Sequence, residues 1–334
     1  MRPGRIVVTG SIAFDYLMTF PGRFLDVMVP DRLHRISVSF LVRDMRRVEG
    51  GCGANIAYGL ALLGAEPMLM ATAGPDASAY RSRLEAAGVD VTHVKLCEDV
   101  FTASFFANTD EDQNQICTFY GGAMSRAAEL SFRSLDPAGI GLVVISPNDP
   151  VAMARYAAEC RALGIPFLYD PSQQVSSLSG EEMLACLEGA AIFIGNEYEL
   201  GIVEKKTGLG EAEILARVPV VIITRGAEGS TIALRGGTPE APHGATTIRV
   251  PAAAVRDVPL DPTGVGDAYR AGLLAARRVG LPWETAGKVG AVAAVYALET
   301  IGPQPAPYSL ADFAARYAAS FGPDDGLARL GGAK

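Results

Sequence analysis

Asp261-Pro262-Thr263-Gly264-Val265-Gly266-Asp267 leads directly into a helical run, Ala268–Val279. Two glycines at i and i+2 just before a helix let neighbouring main-chain N–H groups turn toward one point. The positive end of the helix dipole is aimed at the same point. Such a mouth receives an anion, and a phosphoryl group in transit needs donors of this kind on its oxygens. Asp267 stands beside it, where a carboxylate can take the proton of an attacking hydroxyl. The same residues admit a plainer reading, in which Gly264 and Gly266 form a turn and Asp267 caps the helix. Spacing alone does not decide between the two.

Upstream of this stretch, short apolar runs alternate with helical patterns. Ile6–Val8, Met68–Ala73, Leu142–Ser146, Phe167–Asp170, Ala191–Ile194 and Val220–Thr224 read as buried strands. Gly53–Leu63, Ser78–Ala87, Val151–Leu163 and Glu181–Leu187 read as helices, with Ile56, Leu60 and Leu63 on one face of the first. Strand and helix in alternation predict a parallel sheet covered on both faces. Ligands in such sheets bind outside the carboxyl ends of the strands. Here those ends carry Gly10-Ser11, Gly74-Pro75-Asp76, Asn148-Asp149, Asp170-Pro171-Ser172, Asn196-Glu197 and Arg225-Gly226. Two stretches break the rhythm. One is Phe14–Glu49; the other is a hairpin pattern, Ala103–Thr109 and Gln113–Tyr120 around Asp110-Glu111-Asp112. A small β layer projecting from the main sheet explains both, and an extension of that sheet is the alternative. The Gly- and Ala-rich tail Pro323–Lys334 is expected to fray.

Bulk properties narrow the class. A chain of 334 residues, 49% hydrophobic and 20% charged, can bury a large core. A net charge of −8 argues against a general nucleic-acid or membrane-surface binder, though not against a local anion site. The five cysteines are scattered and form no CxxC, so free or structural thiols are expected rather than zinc ligands or a disulfide framework. Arg2 runs straight into Ile6-Val7-Val8 with no signal-peptide pattern, and no run of 18 apolar residues occurs. A cytoplasmic protein is the expectation. There is no G-x-x-x-x-G-K-[ST] loop, and Gly51-Cys52-Gly53 continues as Ala54-Asn55-Ile56 rather than into a dinucleotide fingerprint.

Four motifs in order carry a resemblance. Gly50-Gly51-Cys52-Gly53-Ala54-Asn55-Ile56-Ala57, with Gly64 and Gly74-Pro75-Asp76 after it, resembles the first signature of the ribokinase/PfkB sugar-kinase superfamily. Asp261–Asp267 resembles the second. Asn196-Glu197-Tyr198-Glu199 matches the superfamily's Asn-x-x-Glu motif, and Thr224-Arg225-Gly226-Ala227-Glu228-Gly229 matches its nucleotide loop. Within the superfamily the chain is most similar to actinobacterial adenosine kinases. That similarity rests on Gly10–Asp15, Phe20–Phe24, Ser39–Val42, Phe119–Met124, Asp170–Gln174 and Asp261–Asp267. It departs from them at Gly51-Cys52-Gly53-Ala54-Asn55, which follows the ribokinase form Gly-x-Gly-Ala-Asn.

The resemblance implies a single ribokinase-like domain over residues 1–334. It would be a three-layer αβα sandwich with a mostly parallel central sheet and a small β-sheet lid, built from about 14–50 and 97–123. It implies ATP-dependent phosphorylation of the adenosine 5′-hydroxyl, with Asp267 as general base and Gly264–Gly266 as anion hole. A PfkB-type kinase of a free sugar or another nucleoside is the alternative, and a nucleoside sensor without catalysis is a rival of another class. By the same resemblance Asp15 holds two ribose hydroxyls, a task that suits a carboxylate. Ser11, Gly51 and Asn55 complete the sugar cradle, Gln173 and Gln174 lie near the ligands, and Phe105 and Phe119 enclose a purine. Taken alone, Asp15 also reads as a strand-end turn residue, and the two phenylalanines as core. Asn196 and Glu199 would organise Mg²⁺ through water, although they equally fit a helix N-cap and its first-turn acid. Thr224, Gly226 and Gly229 would line the ATP side. Arg225 reads either as a phosphate partner or as surface. Relatives imply K⁺ near the loop matching Asp261 and Thr263. The exposed edge of a β lid further suggests a homodimer through the lids.

Overall fold

The computed structural model describes residues 4–28, 30–35, 37–256 and 258–331. In chain order the elements are β1 (Arg5–Thr9), β2 (Ala13–Thr19), α1 (Phe24–Val27), β3 (Asp44–Gly50), α2 (Cys52–Leu62), β4 (Met68–Ala73), α3 (Ser78–Ala86) and β5 (Val94–Leu96). There follow β6 (Ala103–Thr109), β7 (Gln115–Tyr120), β8 (Ile140–Ile145), α4 (Pro150–Leu163), β9 (Phe167–Tyr169), α5 (Gly180–Leu187), β10 (Ile192–Asn196), α6 (Glu197–Thr207), α7 (Glu211–Arg217) and β11 (Val220–Thr224). The last are β12 (Ser230–Leu234), β13 (Thr246–Val250), α8 (Val265–Arg278), α9 (Trp283–Leu298) and α10 (Leu310–Phe321).

A nine-stranded sheet has the order β13-β12-β11-β10-β9-β8-β1-β4-β5. It is parallel from β11 to β5, while β12 and β13 close one edge antiparallel. Strand β8 shows why: every residue of Ile-Gly-Leu-Val-Val-Ile is buried, as a parallel strand covered on both faces requires. Alternation on β1 sends Ile6 and Val8 into one core, with α2, α8 and α9, and Val7 into the other, with α4 and α5. This is the expected ribokinase-like α/β architecture. The order turns at β1, which has β4 on one side and β8 on the other, and the chain leaving β1 enters the small sheet.

That small sheet is the lid, with order β3-β2-β6-β7. Strand β3 falls within the span 14–50 expected to build the lid, but was not singled out as a strand, because Asp-Met-Arg-Arg-Val-Glu-Gly lacks an apolar alternation. Strand β7 is exposed along its whole length and forms the lid's outer edge. Pairing places Val48, Asp15, Phe105 and Phe119 side by side in one row across all four strands. In-register neighbours point to the same face of a sheet. The opposite face holds the stacked rings of Tyr16 and Phe106, 4.8 Å apart, and Arg47 above Phe14.

Local chemistry sets the helix ends. Asp149 caps α4 by accepting the Ala152 N–H, Pro150 opens it, and Gly164 ends it at φ 63°. Helix α8 packs between α2 and α9 through small residues, since a side chain on Gly272 would strike the Gly290 backbone and one on Gly59 would strike Ala271. The tail is more ordered than its composition suggests: Asp325–Arg329 forms a 3-10 turn, capped by Asp324, that buries Leu327. Residues 332–334 of that expected fraying segment lie outside the described residues. Among the described residues no helix is long and apolar enough to cross a membrane.

Candidate active site

Helix α8 begins at Gly264, which adopts φ 75° and ψ −2°. Only glycine fits there, because a Cβ would lie 2.5 Å from Pro303. Asp261 ties this turn together: Oδ1 accepts the Thr263 N–H at 2.9 Å and Oδ2 accepts the Gly302 N–H at 3.0 Å. The Ala268 N–H, bonded to the Gly264 carbonyl, is the first to close a helical turn of α8. The N–H groups of Gly266 and Asp267 come before it and face the helix mouth.

Asp267 lies on this first turn but does not cap it. Its Oδ2 accepts instead from Asn55 Nδ2 at 2.9 Å, across 212 residues of chain. The capping alternative is thus set aside for Asp267. Burial pushes its carboxyl up to about 6, against the pull of Arg270, Asn55 and Cys52.

The opposite wall is made where β1 and α2 meet. Gly51, at φ 95°, lies so close to the Ser11 carbonyl that a Cβ would come within 2.5 Å of it. Ser11 Oγ accepts the Cys52 N–H at 3.1 Å, which seats the start of α2 on the end of β1. Asp15 enters from β2, and its Oδ2 would lie 2.9 Å from a Cβ on Gly50. Burial raises its carboxyl to about 6, with Asp261 and Asp267 adding repulsion. Asp15 lies within β2 and close enough to Asp267 for the two charges to repel. Phe105 is half-buried and Phe119 is 51% exposed, so Phe119 is not core.

Behind the helix mouth sits a buried ion pair that sequence reading did not single out. Arg270 reaches Asp170 with Nη2 to Oδ1 at 2.6 Å and Nε to Oδ2 at 2.5 Å. Its Nη1 donates to the Gly266 carbonyl at 3.0 Å. Burial works against the guanidinium's charge, but Asp170, Glu199 and Asp267 together push its pKa up, so it stays protonated. The pair thus joins the end of β9 to the first turn of α8. Just beyond, Ser172 sits at φ 38°, a left-handed conformation costly for a non-glycine residue. Gln174 donates to the Asn148 carbonyl at 2.7 Å, whereas Gln173 is exposed.

On the other side, Asn196 and Glu199 form a reciprocal capping box at the start of α6. Asn196 pairs in register with Thr224. Gly226 and Gly229 shape the loop that follows at φ 54° and 85°. Arg225 pairs with Glu197 and, at 3.7 Å, with Glu211. A bond of 2.7 Å between Ser230 and Tyr269 fastens the next strand, β12, to α8. Among the described residues no group of three or more His, Cys, Asp or Glu is arranged to hold a metal directly. Glu199 Oε2 accepts the Asn196 N–H at 2.7 Å, so a hard cation beside this carboxylate would be held through its waters.

The site thus brings the first turn of α8 together with two buried carboxyls, Asp267 and Asp15, at the carboxyl ends of a parallel sheet. That is the arrangement of a phosphoryl-transfer enzyme acting on a hydroxyl. The pfkB family carbohydrate kinase model matches residues 21–309, and the chain belongs to that family. The nucleoside kinase of Burkholderia thailandensis, solved in complex with inosine, superposes with a TM-score of 0.82 at 36% identity over 95% of this chain and 98% of that one. The nucleoside kinase of Methanocaldococcus jannaschii gives 0.79 at 26% identity, over 94% and 98%. A nucleoside kinase of Methanothermobacter thermautotrophicus is 29% identical over 90% of this chain and 91% of its own.

Sequence reading missed Arg270, and also Gln304, which donates to the Asn55 oxygen, and Arg83, which donates to Gln304. Arg270 carried a usable signal, as an arginine among the buried residues of α8 one turn after Gly266. Arg83 and Gln304 carried none, since their partners lie far away in sequence.

Proposed function

We propose that this chain is an ATP-dependent nucleoside kinase that transfers the γ-phosphoryl group to the ribose 5′-hydroxyl, with adenosine as the first-choice acceptor. The observation that carries the reading is the Asp267 carboxylate on the first turn of α8, beside main-chain donors and held by Asn55. A carboxyl at about 6 is ionised at neutral pH yet basic enough to receive a proton in the transition state. In this reading Asp15 grips the ribose diol, with Ser11, Gly51 and Asn55 forming the rest of the cradle. Gly264 and Gly266 let α8 present its amides to the phosphoryl oxygens. Gln173 and Gln174 border the acceptor; Asn196, Thr224, Gly226 and Gly229 border ATP. Mg²⁺ held through water near Glu199 would neutralise phosphate charge. K⁺ near Asp261 and Thr263 stands on the resemblance alone.

The row Asp15, Phe105, Phe119 supports a nucleoside over a free sugar, because a flat π-face suits a base lying beyond the ribose. The relatives named above are nucleoside kinases, and one holds inosine, so inosine is the second acceptor to compare. A panel of adenosine, inosine, other nucleosides and free ribose, read by ADP release, tests the proposal. Nucleoside turnover well above ribose turnover is expected. Ribose turnover without nucleoside turnover would overturn the proposal, and inosine far above adenosine would replace the acceptor. The exposed edge β7 supports a homodimer through the lids; a monomer in light scattering would dismiss it.

A further inference from the structure

Behind Asp267 a line of hydrogen bonds leads out of the cleft. Asn55 donates through Nδ2 to Asp267 and accepts through Oδ1 from Gln304 Nε2, both at 2.9 Å. The same Nε2 donates to the Tyr80 hydroxyl at 2.6 Å, and that hydroxyl donates to the Gly50 carbonyl at 3.0 Å. Gln304 Oε1 accepts from Arg83, whose Nε pairs with Glu49 on lid strand β3. Arg83 also lies over the rings of Tyr58 and Tyr80.

This line has one polarity. A guanidinium only donates, so the Gln304 oxygen must face Arg83 and the Gln304 NH₂ must face Asn55. The Asn55 oxygen must then face Gln304, and its NH₂ must face Asp267. Reversing either amide sets two acceptors or two donors against each other in a half-buried place.

We propose that Arg83, acting through Gln304, is a positioning residue that holds the Asn55 amide with its donor toward Asp267. The proposal rests on the reading of Asp267 as the base. The other groups around that carboxylate cannot perform this task. Asp15, Asp170 and Glu199 are acidic, Cys52 is a weak donor, and Arg270 is committed to Asp170 and the Gly266 carbonyl. Glu49 and Gly50 close β3, so the same line anchors the entrance of the acceptor cradle to the lid.

Gln304→Glu tests it. The new carboxylate keeps the partnership with Arg83 but can no longer donate, so Asn55 rotates and turns its oxygen on Asp267. The ionised base loses a donor and meets an acceptor. The acid limb of kcat should then rise by about one pH unit, with activity recovering at higher pH. Arg83→Met should move it the same way by a smaller step, and Arg83→Lys, which keeps a donor, should leave it in place. A merely structural role would lower kcat evenly at every pH. An acid limb for Gln304→Glu at the wild-type position, or a loss independent of pH, overturns the proposal. Asp267→Asn, measured alongside, separates the two layers: full turnover there would sink the base reading itself.

Discussion

At the scale of single residues, the proposed roles of two carboxyls, Asp267 and Asp15, predict a pH dependence. Asp267 and Asp15 both stand at about 6, raised first of all by burial. A base must be ionised to accept a proton, so kcat should fall as pH drops through about 6. In the proposed reading Asp15 must also be ionised, since it would accept from two hydroxyls. The pH profile of kcat/KM should therefore fall more steeply than that of kcat, because the free enzyme has two interacting groups to protonate. Steady-state kinetics between about pH 5 and 8 checks this around the two values near 6; a limb of equal, single-proton steepness in both profiles would contradict it. The place of Asp267 on the first turn of a helix was legible in the sequence because its evidence is local: two glycines, an acid and a helical run close together. Gln304 was not, because its partner Asn55 lies 249 residues away.

At the scale of elements, α8 is aimed by what clamps its first turn. Arg270 does so through Asp170, with side-chain exposures of only 5% and 0%. Removing one partner leaves a buried charge alone, at a cost of about 3–5 kcal/mol. Urea unfolding of Arg270→Met should show a loss of that order. Asp170→Leu combined with Arg270→Met should recover part of the stability but little of the turnover, because the Gly266 carbonyl stays unheld. A fully active double variant would contradict the clamp. Element by element, legibility followed burial pattern. The apolar strands β1, β4 and β8–β11 could be read directly. Strand β3 could not, being polar and exposed on a two-sided lid. Helix α9 also escaped: Trp283–Leu298 is rich in Ala, Gly and Val and buried almost all round, so it shows no amphipathic period. The antiparallel edge β12–β13 escaped because pairing across the sheet, rather than local pattern, defines it.

At the scale of the whole molecule, the sheet gathers acids from β2, β9, α6 and α8 at one end, and that gathering has a stability cost. Asp15 and Asp267 bind protons more tightly folded than unfolded, from about 3.8 up to about 6. Their contribution is present in full below the unfolded value and is lost as pH rises through about 6. Relative to the unaltered protein, Asp267→Asn should therefore gain melting temperature as pH rises through about 6, which makes its slope of melting temperature against pH more positive. An unchanged slope in the variant would show that Asp267 is not strained by its burial. The overall architecture was legible from alternating strands and helices together with four ordered motifs. The meeting of lid, α2 and α8 was not, because contacts across 212 and 221 residues leave no local pattern.

Asp267→Asn keeps the shape of the side chain and removes its basicity. Nucleoside binding by calorimetry and turnover by ADP release, measured on the same preparation, separate the two functions. Affinity within a few-fold of the original with turnover reduced by roughly 10²–10⁴ is the expected result. Turnover close to that of the unaltered protein would contradict the assignment of Asp267 as the group that receives the proton.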